Sequence, residues 1–531
     1  MPSPPFIHGT GYRIGVCDLF CNGFAMTSEP FDLPYADIEQ LQAALSAGTL
    51  TSELLVGVYL DRIAGFDHQG PKINALISLD PEAPEAARRS DRRRRSGAVT
   101  GALEGIPFVA KDNYDTTALP TTGGSAALKA SRPKENAVAV QRLLDRGAIL
   151  IGKANLSELS SSCGRLGYSS AGGLTLNPYN TARDASGSSS GSAAAVAAGF
   201  AAFALGTDTS GSIRGPASVT ALVGLRPTLG LISRTGVIPL SLSTDTAGAI
   251  TRTVEDMALV LDAIAGPDPA DAATLMRPPT PAPVRSRLDG FGLRGARLGA
   301  LTNFHGADPE VDGVAAGVRD QLARQGALLV PVTLPARFED LWSSVLRPLC
   351  EAEFKRQFER YLDGVEGAGV RSLDDLIRVS TSPAIASSPT PVNPARLEEL
   401  RRANGTTLIT SPAYMAIVTE IIPSLRQELV ALMARNRLDA LVFPTLSCPA
   451  APRYDRPDPS YVCRCDDPYQ AAYIAAALGF PEVSVPAAIV SANMPVGMSF
   501  LGLPDQEAKL LGLARAFLAS APPLPTPRAV G

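Results

Sequence analysis

Apolar residues recur every three or four positions from Ala36 to Ala47 and from Ser52 to Gly65, the spacing that lines one face of a helix. Thr51 and Ser52 stand where a hydroxyl caps the second of these helices. The pattern changes at Ile106-Pro107-Phe108-Val109-Ala110, an unbroken apolar run that predicts a strand and ends in Lys111-Asp112-Asn113. A helix over Ala137 to Arg146 and an apolar strand at Ala148-Ile149-Leu150-Ile151 follow. The Ala-rich stretch from Ser192 to Gly199 predicts another helix, and Phe200 to Leu205 runs on into a Ser/Gly cluster. Strand, helix and strand alternate, which predicts an α/β fold with a sheet buried on both faces.

Beyond Asp256 the pattern stays mixed. Arg297 to Leu301 and Leu328 to Val332 predict strands flanking a helix from Val311 to Gln325, and residues 351–363 and 411–436 predict helices. Pro-rich stretches at 278–284 and 521–527 predict a linker and a tail. There is no internal repeat and nothing that divides the chain. The expectation is one domain over residues 26–520, a Pro-rich tail over 521–531, and an upstream start or disordered arm over residues 1–25, ahead of Met26.

Composition narrows the function. With 531 residues, 45% hydrophobic and 19% charged, the chain reads as a soluble globular protein. A formal net charge of −4 gives no basic face for nucleic acid. The basic run Arg88-Arg89 and Arg92 to Arg95 follows an Ala/Glu stretch and reads as a solvated helix face. The longest apolar run, Ala193 to Leu205, is too short to span a bilayer, and no basic-then-apolar leader opens the first 25 residues, so a cytoplasmic location without membrane contact is expected. Seven cysteines, an odd count, argue for reduced thiols. Cys17 with Cys21, and Cys463 with Cys465, lack the partner spacing of a zinc site, and the second pair is expected to line a surface or pocket.

The candidate chemistry lies in two Ser/Gly clusters, Gly187 to Ser192 and Thr209 to Ser212, downstream of Lys111. The only histidines are His8, His68 and His305, none of them near these clusters in sequence. A serine hydroxyl needs a base, and lysine serves only when neutral, which burial favours by lowering its pKa from about 10.4. Lys111 leaves an apolar strand, and alternation sends Asp112 to the other side. Small residues at 209–212 let amide N–H groups converge beside Ser212 as an oxyanion hole. The loop at 187–192 can place a second hydroxyl between Ser212 and Lys111. The local residues leave open an ordinary strand-end lysine, and loops that merely precede capped helices. Three other patterns compete. Gly187 to Gly191 fits G-x-S-x-G centred on Ser189, which requires a later histidine, only His305 being available. Gly147 to Lys153 matches most of a P-loop, but Ala154 lacks the metal-binding hydroxyl, so a strand is expected. In Ser131-Arg132-Pro133-Lys134 the proline breaks the helical turn that S-x-x-K needs.

Between Leu103 and Asp256 the chain resembles the amidase signature family of serine hydrolases. The resemblance rests on Gly105 to Asn113, Gly152 to Asn155, Gly187 to Val196, Gly206 to Arg214 and Gly224 to Thr228, and continues more weakly at Asp439 to Pro444, Gly479 to Pro486 and Pro495 to Gly502. It implies a large mixed sheet covered by helices on both faces. It also implies a Ser–cisSer–Lys triad, with Lys111 as base, Ser188 after a cis peptide as relay and Ser212 as acyl nucleophile. Thr209, Ser210, Gly211 and Ser212 would supply the oxyanion-hole amides, and Asp208, Arg214 and Ser189 would support the loops. Ser186, Ser190 and Ser210 stand where the family commonly has glycine. The expected activity is hydrolysis of small-molecule amides through an acyl-enzyme, with no cofactor or metal, by a monomer or homodimer. Esters and carbamates present the same carbonyl and are expected alternatives. The segment from Glu353 to Leu376 resembles stand-alone amidases acting on peptide, aryl or alkyl amides. The alternative is the glutaminase component of a tRNA-dependent amidotransferase, against which the insertion around 340–430 weighs.

Overall fold

A computed structural model describes residues 32–278, 283–405 and 409–530. The arm expected over residues 1–25 and most of the linker expected over 278–284 lie outside the described residues. Eleven strands form one sheet: β1 (Leu76–Leu79), β2 (Pro107–Lys111), β3 (Ile149–Ala154), β4 (Phe203–Asp208), β5 (Val223–Arg226), β6 (Thr246–Thr251), β7 (Arg297–Leu301), β8 (Leu328–Val332), β9 (Ala440–Pro444), β10 (Glu482–Val490) and β11 (Met494–Leu501). Their spatial order is β1-β3-β2-β4-β6-β5-β10-β11-β9-β7-β8. Two parallel groups, β3-β2-β4 and β9-β7-β8, are separated by antiparallel strands, so the sheet is mixed. Every residue of β2, β3, β4 and β6 is buried, which means that both faces of the sheet centre are covered.

The helices follow the sequence pattern closely. Asp37 and Gln40 form a reciprocal capping box on α1 (Ile38–Ala47), and Thr51 caps α2 (Ser52–Phe66). The basic run ends α3 (Ala83–Arg95), where Arg88 and Arg92 pair with Glu85, and Arg93 pairs with Glu104. α4 (Val138–Asp145) precedes β3, α5 (Ser190–Ala197) starts within the first Ser/Gly cluster, and α6 (Arg214–Ser218) starts just behind the second. The helix expected over 411–436 is broken by a wider π turn at Ile417–Ile421, and a like turn at Trp342–Leu346 precedes α7 (Arg347–Leu362). Pro423 and Pro348 follow these turns; neither has an N–H to close an ordinary helical bond, so the helix widens instead.

The insertion folds into a helical cap. With α7, α8 (Leu373–Ser380) and α9 (Pro394–Gly405) share a separate apolar core that takes in Leu159, Ile238 and Leu240 from loops of the main domain. Polar clamps reinforce it: Glu353 accepts from Ser241 Oγ (2.9 Å), and Tyr361 Oη donates to Asp115 (2.6 Å). The Pro-rich tail packs back onto the domain, since the Pro525 and Val530 carbonyls accept from Tyr179 Oη (2.9 Å) and Arg62 Nη2 (2.8 Å).

Candidate functional site

The carboxyl ends of parallel strands are where an α/β sheet presents side chains to a ligand, and here β2 ends in Lys111 and β4 in Asp208. β2 and β4 are hydrogen-bonded neighbours, with Phe108 opposite Phe203, which brings Lys111 alongside Thr207. Lys111 Nζ lies 2.7 Å from Ser188 Oγ and 2.7 Å from Thr207 Oγ1. Burial drives the Lys111 amine down to about 7, with Asp208 and Asp245 acting in the opposite sense. Asp112 faces away, as alternation requires, and pairs with Lys153 at 3.0 Å.

The two serine loops are knitted together through their backbones. The Gly187–Ser188 peptide is cis. Ser189 N–H donates to the Ser212 carbonyl (3.1 Å), and Ser189 Oγ donates to the Thr207 carbonyl (3.2 Å). Gly191 has to be glycine: a Cβ there would lie 2.3 Å from the Ala75 carbonyl oxygen. Ser186 takes a positive φ of 60°, and its hydroxyl bonds to Tyr469 Oη, a contact that fixes the loop where the family has glycine.

Behind Ser212 the loop is held by a buried charge network. Asp208 accepts from the N–H groups of Gly211 (2.8 Å) and Ile213 (3.1 Å) and pairs with Arg214 (2.9 Å) and Arg226 (3.0 Å). Arg214 also pairs with Glu482 on β10 (2.6 Å), and Glu482 accepts from Ser499 Oγ (2.6 Å). Burial alone would raise the Asp208 carboxyl, but Arg214 and Arg226 outweigh it and hold the group well below the usual carboxylate range. Asp245 anchors the other side of the loop, accepting from Thr209 Oγ1 at 2.6 Å.

The four amides expected of the oxyanion hole are not alike. The Gly211 N–H is committed to Asp208, because the loop's φ of 111° at Gly211 turns that amide back toward the carboxylate. The amides of Ser210 and Ser212 donate to no protein acceptor among the described residues.

The competing patterns dissolve. Ser189 is fully buried and spent on the Thr207 backbone. His305 is held by Asp312 Oδ1 and the Leu301 carbonyl, each at 3.0 Å, beyond the end of β7. His305→Ala is therefore expected to leave the rate of amide hydrolysis unchanged, against the roughly 10⁶-fold loss that removing a catalytic histidine brings. Steady-state kinetics of the variant checks this. The P-loop-like stretch is strand β3, and Arg132-Pro133 pairs in a short ladder with Val365-Glu366.

The expectation for the cysteines needs correcting. Cys448 and Cys463 form a disulfide, and Cys465 Sγ lies 3.5 Å from Cys463 Sγ. An odd count never excluded one pair, and a separation of 15 residues is no recognisable spacing; the fold of the loop between β9 and β10 brings these sulfurs together. Disulfides persist in oxidising surroundings, so the thiols lend no support to the cytoplasmic expectation. Among the described residues no helix is long and apolar enough to cross a membrane.

Several site residues escaped the motifs. Asn113, Thr207 and Arg226 lie inside the quoted stretches, but nothing in the pattern distinguished them from structural neighbours. Asp245 falls between the quoted motifs, Glu482 lies in the weakly similar stretch Gly479 to Pro486, and Tyr469 arrives from a segment with no local signal.

An eleven-stranded mixed sheet with a buried lysine and two serine loops at its carboxyl edge defines a class, and a family model described as Amidase matches residues 55–511. The chain belongs to the amidase family and is a hydrolase acting on amide C–N bonds. Among solved structures, native peptide amidase from Stenotrophomonas maltophilia is 39% identical, with a TM-score of 0.85 over 93% of this chain and 99% of that one. The glutamyl-tRNA(Gln) amidotransferase A subunit from Thermotoga maritima is 26% identical, with a TM-score of 0.69 over 94% of this chain and 98% of that one. A curated relative, the corresponding amidotransferase protein from Myxococcus xanthus, is 36% identical over 489 residues, 90% of this chain and 96% of the relative.

Proposed function

We propose that the protein hydrolyses amides of peptides through an acyl-enzyme on Ser212. Neutral Lys111 takes the proton of Ser188, Ser188 takes that of Ser212, and Ser212 Oγ attacks the carbonyl carbon. The amides of Ser210 and Ser212, with Thr209 beside them, receive the developing oxyanion. The protonated lysine then returns its proton through Ser188 to the leaving amine, and the C–N bond breaks. Water adds to the ester by the same route in reverse and frees Ser212. Asp208, Arg214 and Ser189 hold the loops and exchange no proton.

The observation that carries this reading is the buried Lys111 amine 2.7 Å from Ser188 Oγ. The peptide substrate is supported by likeness to the S. maltophilia peptide amidase, which covers nearly the whole of both chains. The helical cap clamps the loops at 159 and 238–243. A monomer or homodimer suffices for this chemistry.

Intact-mass labelling with a fluorophosphonate, followed by peptide mapping, is expected to give one adduct, on Ser212, in wild type. A panel of peptide, aryl and alkyl amides should then show turnover that requires no second protein. The identity to amidotransferase A subunits favours a second reading, release of ammonia from glutamine for a partner. Steady glutaminase activity that rises with a co-purifying protein would establish that reading in place of the first, and an adduct on Ser189 would defeat both.

A further inference from the structure

A neutral Lys111 has a single lone pair, and two hydroxyls, Ser188 Oγ and Thr207 Oγ1, both lie 2.7 Å from its nitrogen. Only one of them can donate into that lone pair. If Thr207 does, the base is occupied by a hydroxyl with no part in the reaction, and Ser188 keeps its proton. Acylation through Ser188 requires Thr207 to accept an N–H from Lys111 instead. The direction of one hydroxyl hydrogen therefore decides whether the lysine is a base.

Asn113 stands where it can set that direction. It lies two residues beyond Lys111, in the turn that follows β2. Its Nδ2 donates to Thr207 Oγ1 at 3.0 Å and to Ser160 Oγ at 3.3 Å, all in buried surroundings. A hydroxyl oxygen has two lone pairs and one hydrogen. With Asn113 on one lone pair and a Lys111 N–H on the other, the Thr207 hydrogen points away from the lysine. Beside Thr207 is a cavity of about 10 Å³ bordered also by Asn113, Ser160, Thr209 and Asp245. Asn113 Oδ1 has no partner among the described residues. A space of that size is enough for one water, which would bridge the hydroxyl to that oxygen.

We propose that Asn113 is a positioning residue that keeps the Thr207 hydrogen off Lys111 and thereby aims the lysine lone pair at Ser188. The assignment rests on the triad proposed above. The charged groups around Lys111 are Asp208, paired with Arg214 and Arg226, and Asp245. Asp112 and Lys153 neutralise each other on the opposite side of β2, and Arg234, which borders the same cavity, is paired with Asp271. None of these touches Thr207 Oγ1 among the described residues, so Asn113 alone directs it.

The test is the pH dependence of fluorophosphonate labelling at Ser212 in wild type, Lys111→Ala, Asn113→Leu, Asn113→Asp and Thr207→Val, with thermal melts of each. Asn113→Leu is expected to lower the high-pH plateau about tenfold, the worth of one hydrogen bond. In a Thr207→Val background the same change should cost less than about twofold, because the hydroxyl it directs is gone. Asn113→Asp should keep the plateau within about threefold of wild type, since a carboxylate captures the Thr207 hydrogen. Its added negative charge should move the acid limb to higher pH. An Asn113→Leu loss of equal size in both backgrounds would mean that Asn113 only supports the loop, and the proposal fails. It also fails if Asn113→Asp loses the plateau as Asn113→Leu does, or leaves the limb in place. If wild type is not labelled at Ser212, or Lys111→Ala labels normally, it is the triad itself that fails, whatever the Asn113 variants do.

Discussion

Replacing Lys111 with alanine lowers the rate of Ser212 acylation by about 10⁴- to 10⁶-fold, the range lost when a hydrolase's base is removed. Nothing nearby substitutes for it. Asp208 is locked between two arginines, Asp245 is bound to Thr209 and to the backbone of Leu240 and Ser241, and His305 belongs to another part of the molecule. The pH profile identifies the group. With the amine brought down to about 7 by burial, wild-type acylation rises tenfold per unit up to about pH 7 and then levels, because protonation below that point fills the lone pair. The variant retains only a small rate without that limb. Stability is linked to the same group. The unfolded chain holds its lysine proton up to about pH 10.4, whereas the folded one releases it near 7, so stability rises with pH between these values; the penalty for burying the amine is full at and below about pH 7 and is lost as pH rises toward 10.4. An apolar replacement, Lys111→Met, is therefore expected to melt higher than wild type, by a margin that is largest at pH 7 and narrows toward pH 10, while being inactive. A labelling rate indifferent to residue 111 would remove the lysine from the mechanism.

Replacing Asp208 with alanine has the largest expected effect on the fold. Arg214 and Arg226 are fully buried, and Asp208 carries charge for both. Removing one member of a buried ion pair costs about 3–5 kcal/mol, because the partner is left without a counter-charge. Glu482 offsets only part of this through Arg214. The same change releases the Gly211 and Ile213 amides on either side of Ser212, so acylation is expected to fall by at least about 100-fold in molecules that still fold. Chemical denaturation and labelling at a temperature well below the transition separate the two effects. Wild-type stability in Asp208→Ala would mean that the network is not what holds the loop.

Much of this was legible in the chain before any coordinates, and for definite reasons. Period and run length placed β7 and β8 to the residue, since each is a short apolar run bounded by turn residues. The apolar run before Lys111 singled out that residue, whereas Ser188 and Ser212 were named through the family resemblance, because Ser188, Ser189 and Ser190 are indistinguishable by local composition. Pairing across long distances was not legible. Glu482 is a single acid in an apolar strand, and only the folded chain shows that it lies opposite Arg226 of β5 and pairs with Arg214 of α6. Tyr469 reaches Ser186 and the ring packs on Gly211, yet its loop has no pattern beyond Pro and Asp. The disulfide was hidden for the same reason. The bond from the Gly211 amide to Asp208 was not legible either, because composition shows that an amide is unhindered and cannot show what it already binds.

The reach of Arg214 from the serine loop to β10 has a consequence for how such an enzyme is inherited. The motif-rich stretch from Leu103 to Asp256 looks like a portable cassette, since it holds Lys111, Ser188 and Ser212. Its shape, however, depends on Glu482, on the Ala472 carbonyl that accepts from Arg214, and on the Ala476 carbonyl that accepts from Arg226. These belong to segments encoded more than two hundred residues downstream. A gene rearrangement that carried the cassette alone would transmit the chemistry without the frame that makes it work. The working unit is therefore the sheet together with its distant strands, not the motif stretch alone.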